Sequence, residues 1–446
     1  MKSYFLRRLL LMIPTMIGIT LLVFTITRFV PGGAMDRMLQ QAASAAEKGG
    51  RQSSSNTQGG LSDDQLEELE EQFGLDKPIL TAYGQWLGIA PREIWISKAD
   101  YGTRSDEMIG GQPDADTVAQ VILKGDGRKV HVQRDGERLV SATFADTGKP
   151  ISSENWQVRI ETEQDRKDRF LRRNPGAAET PSYPLRAIAF QTKVSGIFQG
   201  DLGRSTVYQE PVAEMITDRM PIAVYFGLLS SIIIYAVCLP LGVLKALKHR
   251  TFVDSASSVL IFIGYSIPGF ALGAILLVHL GARANLFPLF GLTSPDFDQM
   301  APWDKAMDLA HHTVLPLLCY LVSGFAMLTM LTKNSLMDNL AADYVRTAVA
   351  KGAGFRRAVF KHAFRNSMIP IATSLGGLVS IFVAGSMLIE RVFDIQGFGL
   401  LQFQSVIDRD EPVIMATLAI SAFLMLLGNI ISDFAVALVD PRIKFE

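Results

Sequence analysis

The sequence predicts an all-α polytopic membrane protein of about six transmembrane helices, with one small extracytoplasmic insertion that contains β-structure. Three observations predict it: long windows almost free of charge, loops whose Lys and Arg alternate in density, and one polar stretch with two-residue alternation. The averages over 446 residues, 48% hydrophobic and 20% charged, conceal this partition. A net charge of −1 gives no global field for nucleic acid, so the placement of charge matters more than its sum.

A bilayer core needs about 20 apolar residues in a helix. The qualifying windows are Leu9–Val30, Pro221–Leu244, Ser257–Leu280, Thr313–Leu331, Met368–Ile389 and Val413–Leu438. The first has too long an apolar core for a secretory signal and lacks a small-x-small cleavage site, so it is expected to be a retained span. Lys2, Arg7 and Arg8 precede it, and Lys245, Lys248 and Arg250 follow the second window. The stretch after the fourth carries Lys333, Arg346, Lys351, Arg356, Arg357, Lys361 and Arg365 against Asp338 and Asp343, and the tail adds Arg442 and Lys444. The loop after the third window is instead rich in Asp296, Asp298, Asp304 and Asp308, and the loop after the fifth offsets Arg391 and Arg409 with Asp394, Asp408, Asp410 and Glu411. Every basic segment falls on one side when both termini are cytoplasmic.

That orientation places residues 31–220 outside. Residues 42–60 read as a flexible linker, and Asp63–Phe73 as a short acidic helix opened by a capping box at Ser62–Gln65 and stopped at Gly74. In the polar stretch from Pro91 to Lys193, KVHVQRDGERLV alternates around Asp135-Gly136 and predicts a β-hairpin. The expected organisation is a cytoplasmic N-terminus and first span (1–30), a periplasmic linker and short helix (31–90), an insertion domain (91–193), and a core (194–446) with five spans and a cytoplasmic loop at 333–366.

That loop reads as helix, glycine break, helix, with Gly352 and Gly354 at the break and basic residues along Phe355–Phe364. Its small residues Ala348, Ala350 and Gly352 would allow close approach by another subunit. The charges alone are equally the mark of any cytoplasmic loop. Within the spans, Ser266-Ile-Pro268-Gly269 should interrupt or kink the third. Gly376, Gly377, Ser380, Gly385 and Ser386 give the fifth a small-residue stripe, suited to helix packing more often than to a pore wall. Glu390 and Arg391 are expected to snorkel to water at a membrane edge, and Asp433 is an intramembrane carboxylate. The pair His311-His312 points in two directions and is a poor metal site, and Cys238 and Cys319, both in apolar runs, read as small hydrophobes. The chain has no G-x-x-x-x-G-K-[ST], no H-E-x-x-H, no G-x-S-x-G and no Cys/His cluster, so no phosphate-cradling loop or hydrolytic motif is found in it.

Arg346-Thr-Ala-Val-Ala-Lys-Gly352, followed by His362-Ala-Phe-Arg-Asn-Ser-Met-Ile-Pro370, resembles the EAA loop of the dipeptide/oligopeptide permease family of ABC importers. FLRRLLLMIPT, FGLDKP, GDLGRS and the terminal VDPRIKF agree with it. LTMLTKNSL, IGYSIPGF and PRIKFE look most like the Yej-type branch, associated with oligopeptides and the peptide antibiotic microcin C. Arg346 stands where the general motif has Glu, and the interval from Gly352 to Pro370 exceeds the general one, so a salt-bridge role for that Glu is not carried over. The stretch 91–193 lies outside the resemblance.

The resemblance implies a type I importer permease fold in the bacterial inner membrane, and a transport subunit rather than an enzyme. It implies no cofactor on this chain, ATP and Mg being held by partner ATPase subunits or a fused tandem ATPase. It also implies a second permease subunit, a periplasmic peptide-binding protein, a lipid surround and no nucleic acid. The coupling residues would be Tyr344, Arg346, Thr347, Ala348, Lys351, Gly352 and Arg356. Candidates for the translocation path are Ser266, Pro268, Gly377, Ser380, Ser386 and Asp433, and no metal site is expected. Two rival readings remain at this point. An ion-coupled transporter would need ionisable groups along several spans, and a membrane-anchored sensor or assembly factor would act through residues 91–193.

Overall fold

The computed structural model describes residues 2–29, 67, 68, 70, 71, 74, 76–102, 117–173, 180–384 and 387–439, the side chains of 2, 323 and 378–384 excepted. The linker at 42–60, most of the expected helix at Asp63–Phe73, Ser386 and the basic tail lie outside them. The chain divides into one unit of Met1–Arg37 with Leu202–Glu446 and another of Met38–Asp201.

Among its described residues the smaller unit holds six strands: β1 (Arg92–Asp100), β2 (Val118–Ile122), β3 (Lys129–Asp135), β4 (Arg138–Phe144), β5 (Trp156–Glu161) and β6 (Arg186–Lys193). They form two antiparallel sheets of order β1-β6-β5 and β2-β3-β4. Two helices accompany them, α2 (Ile79–Leu87) and α3 (Glu163–Arg173), α1 being the first helix of the other unit. Alternation turns Val130 and Val132 of β3 inward against Val121, Phe144, Trp156, Ala187 and Ala189. The hairpin forms where the alternation places it. Asp135 pairs with Arg138, so its two-residue loop is Gly136-Glu137, one residue beyond the expected turn, and the positive φ of 61° falls on Gly136. Glycine at the first central position suits a turn whose twist matches that of the strands.

The larger unit is helical: α1 (Lys2–Phe29), α4 (Val212–Leu247), α5 (Phe252–Ser266), α6 (Gly269–Leu276), α7 (Pro302–Ala341), α8 (Asp343–Ala350), α9 (Phe364–Ala384), α10 (Met387–Phe393), α11 (Phe398–Ile407) and α12 (Glu411–Val439). Among the described residues, Ser3–Phe29, Val212–Leu247 and Glu411–Val439 are long and apolar enough to cross a membrane. Phe252–Ser266 with Gly269–Arg283, bent by 88°, and Pro302–Val322 with Gly324–Ala341, bent by 45°, qualify as broken pairs. The 88° break is at Ile267-Pro268, both in extended conformation, because proline cannot continue the helical ladder and disfavours helical backbone before it. The window Met368–Ile389 begins in α9, crosses residues 385 and 386, which lie outside the described set, and ends in α10.

Small residues set the helix spacing. A Cβ on Gly242 of α4 would stand 2.5 Å from Thr332 Cβ of α7, and one on Gly269 of α6 2.8 Å from the Cys319 carbonyl oxygen of α7. A Cβ on Gly376 of α9 would meet the Gly428 carbonyl oxygen of α12 at 2.6 Å. The adjacent Gly377 meets nothing within 4 Å. At its described end, then, the stripe has one glycine that packs and one that faces open space.

Candidate functional site

The loop after α7 is built from its backbone outward. Ala342, extended at ψ 147°, separates α7 from α8, and Asp343 sits in the first turn of α8, where a carboxylate suits the helix dipole. The eight residues of α8 end in a Schellman arrangement: Gly352 N donates to Val349 O at 2.9 Å, and Ala353 N to Ala348 O at 3.0 Å. The arrangement needs a left-handed residue, and Gly352 supplies φ +89° with open space where a Cβ would stand. One helical turn, Phe355–Arg357, and a π-helical segment, Ala358–Ala363, then lead into α9.

One face of this loop is anchored. Val345, Ala358 and Ala363 bury themselves with Ala246 of α4 and Leu336 of α7. The opposite face is exposed: Tyr344, Arg346, Thr347, Lys351, Gly352 and Arg356 lie open, and Ala348 is half-buried. Tyr344 Oη donates to Asn339 Oδ1 at 2.5 Å, and Arg346 stands 3.7 Å from Asp343 on the same turn. Val349 (47% exposed) and Phe355 (66%) flank a recess of about 430 Å³ floored by Leu340, Ala358 and Val359. Six of the seven candidate residues lie on α8 and its cap and Arg356 on the turn that follows, around an apolar notch with Arg346 at its rim.

The path candidates lie on several elements: Ser266 in α5, Pro268 between α5 and α6, Gly377 and Ser380 in α9, and Asp433 in α12. Ser266 Oγ donates back to Phe262 O at 2.7 Å, and Pro268 makes the bend. Asp433 of α12 is paired with Arg8 of α1 and accepts from Tyr4 Oη at 3.2 Å, fastening the first helix to the last. Ser380 lies in α9, its side chain outside the described set, and Ser386 is outside it altogether. Among the described residues no His, Cys, Asp or Glu group could hold a metal. His311 Nε2 lies 2.7 Å from Leu286 O, and His312 Nδ1 2.9 Å from Asp308 O.

Glu390 departs from expectation. It is 2% exposed rather than turned to water: Leu400 N donates to its Oε2 at 2.6 Å, capping the start of α11. Gly397 is what lets it in, since a Cβ there would stand 2.5 Å from Oε2. Arg391 is exposed as expected. It lines a recess of about 290 Å³ with Arg219, Gln396 and Gln404 over Leu400 and Leu401, toward the end of α4 remote from the α8 loop, and no acidic residue lines it. Sequence reasoning missed this recess, because Arg219 and Arg391 are far apart in the chain. The motif GDLGRS also finds a role: Ser205 Oγ donates to buried Asp410, which accepts from Thr206 N at 3.0 Å, and Tyr208 N donates to Ser205 Oγ at 2.8 Å.

Residues 238–445 match the family model described as binding-protein-dependent transport system inner membrane component. The chain is 42% identical over 249 residues to an inner membrane ABC transporter permease protein YejB of Escherichia coli O157:H7, covering 55% of this chain and 68% of that one. It is 30% identical over 467 aligned positions to the peptidoglycan transport system permease protein YejB of Agrobacterium fabrum, covering 100% of this chain and 99% of the relative. It is 36% identical over 253 residues to the oligopeptide transport system permease protein AppB of Bacillus subtilis, covering 56% of this chain and 78% of that one. With a Yej-type relative aligned end to end and peptide permeases matching across most of their own length, this chain belongs to the peptide-permease family of ABC transporters, a family of multi-pass inner-membrane transport subunits rather than enzymes.

Proposed function

We propose that this chain is one of two permease subunits of a peptide importer, driven from the cytoplasm by separate ATPase subunits docked on the loop around α8. One observation carries the reading: Asp343–Ala350 form a short helix, with Arg346 exposed beside an apolar notch and a buried face braced on the ends of α4 and α7. A rigid knob of this kind transmits force, whereas a loop that merely obeys the charge rule needs neither the brace nor the cap. ATP binding would close the ATPase pair, the loop would carry that movement inward, and the spans would expose a peptide path alternately to each side. ATP and Mg would be held by the ATPases, and a periplasmic binding protein would deliver the substrate.

In this reading the helical unit contributes six spans, with α9 in the fifth place and both termini cytoplasmic. The β-containing stretch 91–193 lies outside, after the linker region 31–90. The translocation path would run by Ser266, Pro268, Gly377, Ser380 and Ser386, with Asp433 as the clamp at its edge. The substrate is a peptide. The relative aligned over the whole chain, residues 38–201 included, is named for peptidoglycan transport, which favours peptides derived from the cell wall over microcin C-like ones.

The test uses two substitutions at one glycine, in vesicles holding the chain with its genetic neighbours. Gly352→Ala forces a left-handed L-residue at a cost of about 1–2 kcal/mol and weakens uptake modestly. Gly352→Trp pays the same strain but adds bulk on a surface that is open in this chain. It should abolish both ATP-coupled peptide uptake and peptide-stimulated ATP hydrolysis. A Trp variant as active as the Ala variant would mean that no partner covers this surface.

A further inference from the structure

Beside the docking loop lies a buried ionic cluster that the sequence marked only as cytoplasmic charge. Lys333 Nζ of α7 reaches both carboxylate oxygens of Asp254, at 2.7 and 2.9 Å. Lys245 Nζ, from the last turn of α4, stands 3.1 Å from Asp254 Oδ1. It also donates to Asp254 O at 2.9 Å, Ser257 Oγ at 2.9 Å and Ser258 Oγ at 2.7 Å. The carboxylate further accepts from Arg250 N at 3.1 Å, and His249 Nδ1 lies 3.3 Å away. Lys245 is fully buried, Asp254 is 5% exposed and Lys333 8%. Two ammonium groups thus share one buried carboxylate, and such an arrangement is weak evidence for stability as its purpose.

Its position says what it joins. Thr332, next to Lys333, packs on Gly242 at one Cβ's distance, so α4 and α7 form a single platform. Ala246 and Leu336 of that platform hold Val345, Ala358 and Ala363 of the docking loop. Of the fifteen residues of α5, Asp254 is the buried one. At its other end α5 stops at the Ile267-Pro268 break, beyond which the chain turns by 88°. Within this chain α5 is a short rod, fastened at one end by its aspartate and jointed at the other by proline.

We propose that Lys245, Asp254 and Lys333 are positioning residues for transport: they form the linkage that carries movement of the docking loop through the α4–α7 platform to α5 and the bend at Pro268. The inference rests on the reading of α8 as the ATPase-docking element. A loop movement that tilts the platform moves both lysines together. Their shared carboxylate obliges the start of α5 to follow, and the bend converts that shift into a change of angle against α6.

Lys333→Met tests this without unbalancing the site, because it leaves Lys245 and Asp254 as a matched pair while cutting the tie from α7 to α5. In vesicles containing the assembled importer, peptide delivered per ATP hydrolysed should fall about tenfold, the scale of a typical coupling between sites. Lys333→Arg, which keeps the cation, should restore most of it, and Lys248→Met, an exposed cation outside the cluster, should leave it at the wild-type value. A Lys333→Met complex with a wild-type ratio, or an equal loss in Lys248→Met, would overturn the proposal. Should Lys333→Met fail to assemble, Ser257→Ala with Ser258→Ala removes two acceptors of Lys245 at constant charge. It should lower the ratio severalfold, and an unchanged ratio overturns the proposal equally. A normal Gly352→Trp complex would instead remove the docking reading on which all this stands.

Discussion

In the unit of residues 38–201, the wholly buried Glu67 lies among four cations, Lys98, Arg166, Arg169 and Arg186, at 3.9, 3.8, 3.7 and 3.0 Å. Each has a second carboxylate: Lys98 and Arg169 share Glu71, Arg169 also pairs with Glu161, and Arg166 and Arg186 share Asp100. In the helical unit, Lys245 and Lys333 share Asp254 alone among the described residues. The first cluster is redundant and joins β1, β5, β6 and α3. The second has one carboxylate for two ammonium groups and joins three helices at a single point. Redundant charge resists the loss of any one contact, which suits a fixed domain. A single shared carboxylate makes its helices dependent on one another, which suits a part that must move as a linkage.

The sharpest way to break this contrast is to neutralise one carboxylate in each cluster. Asp254→Asn leaves two buried ammonium groups without a counter-charge, and removing one partner of a buried pair costs about 3–5 kcal/mol. Glu67→Gln leaves every neighbouring cation another carboxylate, so its cost should be nearer about 1–2 kcal/mol, that of a weakened buried hydrogen bond. Thermal unfolding of the full chain in detergent, followed by size-exclusion recovery, should show a much larger loss for Asp254→Asn. Equal losses would mean that the redundancy around Glu67 is only geometric.

A smaller effect separates two adjacent glycines. Gly376→Ala forces α9 away from the Gly428 carbonyl of α12, an overpacking of about 1–3 kcal/mol. Gly377→Ala meets nothing and should leave the melting temperature unchanged. If Gly377→Ala nevertheless lowers peptide uptake, the open face of α9 belongs to the path rather than to a lipid or subunit contact.

Several features were legible in the sequence for physical reasons. Pro268, beside a glycine, favours a helix break through its own backbone, two-residue alternation around Gly136 needs only local geometry, and Gly352 marks a helix end by its own backbone freedom. What was not legible depends on pairing across the chain. Lys245, Lys333 and Asp254 are separate polar letters beside apolar runs, and nothing local says that they meet. A carboxylate beside a span usually snorkels, so Glu390 reads locally as a residue turned to water. Its burial depends on the N–H groups of a helix start and on Gly397 giving it room. Asp433 was a suspect as a lone intramembrane charge, and its pairing with Arg8 joins opposite ends of the chain.

The slightest effect expected tests the redundancy from within. Burial pushes the Glu161 carboxyl above its usual range against the pull of Arg169, and the Glu67 charge adds to the rise. A carboxyl with a raised folded value holds its proton longer in the native state than in the unfolded chain. Its contribution is therefore complete below the ordinary carboxylate range, and is lost as pH climbs through the raised value. Glu161→Gln removes that slope while Arg169 keeps Glu67 and Glu71. Melting temperatures measured from about pH 4 to 8 should show the variant gaining on the wild type as pH rises. A gap that stays constant would mean that Arg169 holds Glu161 ionised throughout, so that this pair, like Lys333 with Asp254, leans on a single partner after all.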